Sequence, residues 1–540
     1  MTGEFGTTVA DYTGTIPRLL ARAAERDPGG IWLRTDEEEV TFGRVARRVA
    51  GRAAELSESG IGPGDLVMLT ARTTPDYLAS WLALAALGAV AVPVSPASSL
   101  AEFAGLLGQV RPRAVLTDPA LLAGGLGTVL DEAASGGGPV RAVTDVGLLG
   151  GGREDLTLGD LPVAGPEPGD LAVLIPTSGT TGRSKLVMQT HRAYAMAAEG
   201  FPYWMELTAA DRLMTSLPLF HINAPIYSAL GSLACGAGLI LAPRFSASGF
   251  LDAARRHGAT EFNAIGAMLE ILMRQPERPD DADNQLRLCY AGPAPERARH
   301  EEIERRFGLR IVVGYAMSES PYGLIWPRGS RPYGTLGAVR QHPYLGTINE
   351  AMVVAAGDED SAAGQEGAGP GPALGPGETG ELLLRNPVIT PGYWDMPEAT
   401  AAVKTAGGWL RTGDLVTVND DGTYTFVGRR KEVLRRRGEN LSPLEVEEVL
   451  DAHPDVLESA VIGVASELTE EEIKAFVVPA PGARVDFAEL RAHAAERLSA
   501  FKVPRFWQLI DELPRTPTAR LARHRLPAGH QAGEYDAGEG

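Results

Sequence analysis

Thr177-Ser178-Gly179-Thr180-Thr181-Gly182-Arg183-Ser184-Lys185 follows an apolar run, Leu171 to Ile175, that reads as a strand. A strand that ends in a hydroxyl-rich loop punctuated by glycine is suited to holding phosphate. Small residues let backbone N–H groups approach an anion, the hydroxyls add donors, and Lys185 brings a positive charge. On composition alone the same stretch also fits a flexible surface loop. It is not a Walker A loop, which needs a glycine, four residues and then Gly-Lys-Ser/Thr, because Gly179 and Gly182 lead instead into Arg183-Ser184-Lys185.

Around this loop, 540 residues predict three or four folding units, or two domains of which one is composite. With 44% apolar and 22% charged residues, the composition is that of a globular protein with a sizeable core. No apolar run is long enough to span a membrane; Ala79 to Val94 contains Gly88 and Pro93 and reads as a buried helix leading into a strand. The opening Met1-Thr2-Gly3-Glu4-Phe5 lacks the basic-then-apolar pattern of a signal peptide, so a cytoplasmic location is expected. The two cysteines, Cys235 and Cys289, sit beside apolar residues as reduced core thiols rather than in a zinc site or disulfide framework. A net charge of −19 argues against nucleic acid as a partner. The local exception is the basic run from Arg429-Arg430-Lys431 to Arg435-Arg436-Arg437, which reads either as a solvated face or as a site for a phosphate-rich ligand.

Strand-like runs at Leu66 to Thr70, Ala91 to Val94 and Ala172 to Ile175 alternate with helical patterns at Phe42 to Leu56 and Tyr77 to Leu87. The alternation predicts an α/β fold with largely parallel sheets. Glycine-rich stretches at Ser135 to Pro139 and Gly150 to Gly152 read as exposed loops. Gly357 to Gly380 is expected to be a mobile insertion and Ala528 to Gly540 a frayed tail. A domain change is expected at Lys431, giving a large domain over residues 1–430 and a small lid over 431–540; Ser442-Pro443-Leu444-Glu445 opens a lid helix with proline in its first turn.

TSGTTGRSK resembles the phosphate loop of the adenylate-forming superfamily of acyl-CoA synthetases, peptide-synthetase adenylation domains and luciferases, usually TSGTTGxPKG. Ser184 and Leu186 depart from that form. Further resemblances follow in the superfamily's order. Pro218-Leu219-Phe220-His221 is similar to its PxFH motif, Ala291-Gly292-Pro293 to its adenine-contacting turn, and Tyr315-Ala316-Met317-Ser318-Glu319 to YGxTE. Gly380-Glu381-Leu382, Gly392-Tyr393-Trp394 and Arg411-Thr412-Gly413-Asp414 continue the series.

The resemblance implies a large N-terminal α/β domain of layered sheets and helices with a small mobile α+β C-terminal domain. It implies that Thr177, Ser178, Gly179, Thr180, Thr181, Gly182 and Lys185 hold phosphate, and that Ala291, Gly292, Pro293 and Tyr315 contact adenine. Ser318 would meet the α-phosphate, and Glu319 would assist Mg²⁺, a hard cation that prefers oxygen. Asp414 would accept hydrogen bonds from the ribose hydroxyls, with Arg429 nearby. The acyl pocket would be lined by His221, Gly266 and Met317, although a lone histidine is equally read as a packing residue. Lys431 falls at the family hinge, and Gly438 at the position lining the pantetheine tunnel, where a Cβ would obstruct the ligand.

The last motif breaks the pattern. The superfamily ends in a segment like PRTxTGKxxR, whose lysine bridges substrate carboxylate and α-phosphate; here Pro514-Arg515-Thr516-Pro517-Thr518-Ala519-Arg520-Leu521-Ala522-Arg523 puts Ala519 for glycine and Arg520 for lysine. Guanidinium keeps the charge but replaces a compact ammonium by a wider planar fork. The expectation is therefore an acyl-CoA ligase that transfers an acyl group from acyl-adenylate to CoA, with ATP and Mg²⁺ needed only if adenylation is retained. The combination resembles non-adenylating acyl-CoA ligases of bacterial diterpenoid antibiotic pathways of the platensimycin and platencin type, which implies a bulky acyl group and a separate adenylating enzyme. The alternatives are a complete ATP-dependent synthetase using Arg520, transfer to a carrier protein, and a non-catalytic adenylate-binding protein. Acyl identity and oligomeric state stay open.

Overall fold

The computed structural model describes residues 9–135, 142–145, 155–177, 184–292, 296–356, 370–430, 434–436, 439–465, 471–515 and 521–538. Helix starts follow from local chemistry. Thr41 accepts a hydrogen bond from Arg44 N to open the helix Phe42–Glu58, and Thr74 does the same for Pro75–Ala86, whose first residue is a proline. Strands Leu66–Thr70, Val90–Pro93 and Leu171–Thr177 form where the apolar runs predicted them.

Packing divides the chain into two compact units. The first comprises Met1–Ala351, Leu384–Leu410 and Gly422–Tyr424. Among its described residues, a six-stranded sheet runs in the order Ala142–Asp145, Ala114–Thr117, Leu66–Thr70, Val90–Pro93, Leu171–Thr177, Lys185–Thr190, parallel except for the last strand. A nine-stranded sheet has a central parallel set, Arg310–Met317, Leu288–Gly292, Glu261–Ile265, Arg212–Thr215, Gly238–Leu241 and Ile31–Arg34, in that order. Antiparallel strands flank it on both sides. The strands of the parallel set are buried almost throughout, as parallel sheets covered on both faces must be. Helices Pro75–Ala86 and His191–Met205 are themselves nearly wholly buried, with Trp81 packed on Tyr194.

The second unit comprises Met352–Leu383, Arg411–Asp421 and Thr425–Gly540. Among its described residues it holds most of a four-stranded sheet (Glu350–Val354, Thr379–Arg385, Leu410–Val418, Tyr424–Arg429), the hairpin Leu434–Arg436 with Glu439–Leu441, and a second sheet built on the antiparallel pair Val456–Ala465 and Glu471–Pro479. Helices Pro443–Asp451 and Phe487–Arg497 pack against this second sheet.

Two expectations are corrected. Of the stretch 357–380, residues 357–369 lie outside the described residues, but its end is ordered: Ala373 bridges Val354, Leu374 N donates to Val353 O at 2.8 Å, and Thr379 begins a strand. The tail is docked. Tyr535–Asp536 pairs with Phe506–Leu509, Arg505 pairs with Asp536 at 3.0 Å, and the ring of Tyr535 stacks on Phe487. The reason is Lys474, 1% exposed, whose ammonium requires an anion when removed from water; Glu534 supplies it at 2.5 Å and Gly529 O accepts a further bond at 2.9 Å. The glycine-rich stretches at 136–139 and 150–152 lie outside the described residues. Among the described residues no helix is long and apolar enough to cross a membrane. Both cysteines are free thiols; burial pushes the Cys235 thiol up to about 11 and holds the Cys289 thiol well above its ordinary value.

His191, the first residue of the helix His191–Met205, is fully buried and neither ring nitrogen has a hydrogen-bond partner among the described residues. Burial lowers its pKa from 6.5 to about 4, so the folded state keeps it neutral while the unfolded chain protonates it below 6.5. That contribution is fully present above pH 6.5 and is lost as pH falls from there towards 4, amounting to on the order of 3 kcal/mol. The pH dependence of the unfolding midpoint should become shallower in this window in His191→Leu.

Candidate active site

The parallel strands of the large sheet end together on one side, and open α/β sheets bind ligands outside the carboxyl ends of such strands. The described acyl and adenine residues lie at or near those ends. His221 is in the segment after Arg212–Thr215, Gly266 begins the helix after Glu261–Ile265, Ala291 and Gly292 end Leu288–Gly292, and Met317 ends Arg310–Met317. The first segment is tied to the sheet by buried Asn263, whose Nδ2 donates to Asn223 Oδ1 at 2.6 Å. His221 is half-buried with its ring 4.5 Å from that of Phe220. At Gly292 a glycine is required by close approach, since a Cβ would lie 2.5 Å from Gly314 O on the neighbouring strand.

Strands Leu171–Thr177 and Lys185–Thr190 form an antiparallel hairpin in which Thr177 pairs with Lys185, and the Thr177 hydroxyl donates to Lys185 O at 3.3 Å. The predicted phosphate loop thus springs from a fixed base. Ser178, Gly179, Thr180, Thr181 and Gly182 lie outside the described residues. Lys185 Nζ sits 4.6 Å from the centre of the Tyr393 ring, and the Tyr393 hydroxyl donates to Glu319 Oε1 at 2.9 Å. Burial, and then the adjacent Glu319 carboxylate, raise the Tyr393 pKa well above the ordinary phenol value, which keeps the proton on the donor.

Glu319 and Ser318 occupy the turn between Arg310–Met317 and Ser320–Ile325. Buried Gln189 donates to Ser318 O at 2.6 Å, and Thr390 N donates to Glu319 O at 2.7 Å. The Tyr315 hydroxyl lies 3.9 Å from Met317 Sδ. The structure thus links Lys185, Tyr393 and Glu319 directly, with Ser318 held beside Glu319. Tyr393, Thr390 and Gln189 were not singled out as site residues from the sequence. The Gly392-Tyr393-Trp394 match carried a signal for the first, but nothing local marks the other two. One carboxylate, Glu319, fits the small protein contribution expected of a cation held mainly by substrate phosphates. Among the described residues there is no cluster of metal-ligating side chains.

In the second unit, Asp414 is buried and its Oδ1 pairs with Arg429 Nε at 3.1 Å, so the two residues expected near ribose do meet. The turn before Asp414 is organised by buried Glu381, which accepts Arg411 Nη1 at 2.7 Å and Gly413 N at 3.2 Å, with Arg430 at 3.5 Å. Buried Arg436 pairs with Glu472 at 2.6 Å and donates to Phe501 O and Val503 O. Arg430 and Arg436 are therefore counter-ions to carboxylates of their own unit, with Arg436 buried, while Arg429 pairs with Asp414 and stays exposed. Pro293, Lys431, Gly438 and Arg520 lie outside the described residues. The flanks of Arg520 are pinned: Arg515 bridges Leu521, Ala522 N donates to Pro514 O at 2.8 Å, Arg515 pairs with Glu458, and Arg523 pairs with buried Glu447 at 2.6 Å.

A family model described as AMP-binding enzyme matches residues 20–394, and one described as AMP-binding enzyme C-terminal domain matches residues 445–520. The chain belongs to the AMP-binding enzyme family. Its motifs accordingly place it in the adenylate-forming superfamily that they resemble, with that superfamily's fold. Full-length relatives of this AMP-binding enzyme include the sulfoacetate–CoA ligase of Cupriavidus necator, 31% identical over 534 residues, which cover 96% of this chain and 98% of that protein. A probable CoA ligase, CCL9, of Humulus lupulus is 32% identical over 534 residues, with 96% of each chain covered. ATP-bound MatB from Rhodopseudomonas palustris superposes with a TM-score of 0.82 at 25% identity, covering 94% of this chain and 97% of that one.

Tyr393 depends on the glycine before it. Gly392 has φ +149°, Thr400 Cγ2 would lie 2.5 Å from an added Cβ, and Thr400 Oγ1 accepts the Tyr393 N–H at 2.9 Å. Gly392→Ala should therefore destabilise the protein by about 1–3 kcal/mol, measured as a fall in the thermal unfolding midpoint.

Proposed function

We propose that this AMP-binding enzyme is an acyl-CoA ligase working mainly in thioester formation, transferring the acyl group of an acyl-adenylate to CoA with release of AMP. The observation that carries the reading is Arg520, standing where the superfamily has the lysine that joins carboxylate and α-phosphate. A planar fork and an ammonium place charge differently, and a misplacement of about 1 Å at a reacting centre costs on the order of a hundredfold in rate. The thioester half does not use that lysine. The residues that the resemblance connects with it, Lys431 as hinge of a lid over residues 431–540 and Gly438 beside the pantetheine arm, are present. The relatives named as CoA ligases support CoA as acceptor.

In this reading CoA thiolate attacks the acyl carbon; the C–S bond forms, the acyl carbon–oxygen bond to phosphate breaks, and AMP leaves with the electron pair. The thiol proton goes to solvent. Ser318 and the loop from Thr177 to Lys185 stabilise the charge on the departing phosphate, Tyr315 and Gly292 hold adenine, and Asp414 with Arg429 holds ribose. Where adenylation is retained, Glu319 would help hold Mg²⁺ on the phosphates, where the cation neutralises charge. His221, Gly266 and Met317 would face the acyl group, and the diterpenoid-type resemblance makes bulky polycyclic acids the first class to assay. A separate enzyme would then supply the adenylate.

A second reading, a complete ATP-dependent synthetase, is favoured by the full-length match to CoA ligases and by the charge that Arg520 retains. Thioester yield from synthetic acyl-adenylate plus CoA, compared with acid, ATP and CoA, separates the two. The expected result is rapid thioester formation from the adenylate and at least about a hundredfold slower formation from the acid. Arg520→Lys should raise acid-dependent ATP–pyrophosphate exchange and leave the adenylate-to-CoA rate unchanged. Brisk exchange by the unmodified enzyme overturns the proposal in favour of the complete synthetase. Transfer only to a phosphopantetheinylated carrier, or binding of adenylate without thioester, would overturn it in favour of those other roles.

A further inference from the structure

Arg340 is 1% exposed, and among the described residues no carboxylate lies within ion-pair distance of it. A buried charge without an opposite charge must be met by hydrogen bonds, and here all five N–H donors are used. Nε donates to Leu324 O at 3.0 Å, Nη1 to the Tyr227 hydroxyl at 2.9 Å and Pro321 O at 3.2 Å, and Nη2 to the Tyr290 hydroxyl at 2.5 Å and Tyr315 O at 3.3 Å. The guanidinium carbon also lies over the Trp204 ring, 4.5 Å from its centre.

Three of these acceptors are backbone carbonyls of the hairpin whose turn carries Ser318 and Glu319. Its register runs Tyr315 to Leu324 and then Met317 to Ser320, so Pro321, Tyr322 and Gly323 stand opposite Ala316 alone. Such a bulge strips carbonyls of their strand partners and re-aims the side chains beside it. Groups from outside the hairpin satisfy all three. Arg340 and the Tyr227 hydroxyl take Pro321 O, Asn386 Nδ2 takes Tyr322 O at 3.1 Å, and Asn349 Nδ2 takes Gly323 O at 2.7 Å. Arg340 reaches both strands, joining Tyr315 O on one to Pro321 O and Leu324 O on the other.

We infer that Arg340 is a positioning residue for adenylate binding: by bracing the bulge across both strands it fixes the Tyr315 ring and the Ser318–Glu319 turn that receive the nucleotide. Lysine cannot replace it, since an ammonium has three donors on a flexible stem where the guanidinium serves five acceptors. The inference rests on the adenylate-binding reading proposed for the same site.

The test titrates AMP and, separately, CoA into the purified full chain by calorimetry, for the unmodified protein, Arg340→Lys and Arg340→Met, with the unfolding midpoint of each. In folded Arg340→Lys, AMP affinity should fall about ten- to a hundredfold with CoA affinity unchanged, and Arg340→Met should bind AMP more weakly still. A folded Arg340→Lys that binds AMP as the unmodified protein does, whatever its midpoint, overturns the inference. Equal losses for AMP and CoA also overturn it. Should both variants fail to fold, Tyr290→Phe, which removes one of the five bonds and keeps the other four, decides by the same readout: weakened AMP binding with CoA binding intact supports the role, and unchanged AMP binding refutes it. An unmodified protein that does not bind AMP refutes the adenylate reading itself.

Discussion

Charge removed from water has to be met, and this requirement organises both units of the protein. In the second unit it is met by opposite charge. Glu381 gathers Arg411 and Arg430, Glu472 takes Arg436, Glu447 takes Arg523, and Glu534 takes Lys474. Each pair ties segments distant in sequence, so the carboxylates work as staples between strand, turn and tail. Breaking one by removing a single partner leaves an uncompensated charge and costs about 3–5 kcal/mol. In the first unit the same need is met at Arg340 by phenols and carbonyls alone. Pairs of the first kind secure a fold, whereas a guanidinium with neutral acceptors fixes the geometry of one turn.

That distinction bears on the candidate site. Lys185, Tyr393 and Glu319 form a short chain of cation, ring, hydroxyl and carboxylate at the base of the phosphate loop. With the phenol between them, the ammonium and carboxylate are each held in a defined place. Thr390 and Gln189 fix the backbone on either side of the same turn. The residues expected to touch nucleotide are thus held in place by bonds from Tyr393, Thr390 and Gln189.

How much of this could be read beforehand follows from the range of each interaction. Helix Phe42–Glu58 and strand Leu66–Thr70 were legible because helical periodicity and apolar runs act within a few residues. The order of the site motifs was legible because each cluster of glycines, hydroxyls or acids carries its chemistry locally. The bond from Gln189 to Ser318, across 129 positions, was not, nor was the bulge that Arg340 braces, since neither leaves a local trace. The tail misled because its composition is that of a disordered segment, while the ammonium that anchors it lies more than fifty positions upstream.

The docked tail has an outcome for the isolated protein. By lying along Phe506–Leu509, Tyr535–Asp536 occupies hydrogen-bonding groups that would otherwise border the sheet. An open border of that kind recruits strands from other molecules. Proteolytic trimming of the last few residues would therefore both expose a sticky margin and strand the ammonium of Lys474, so clipped preparations would self-associate before they lost their overall shape.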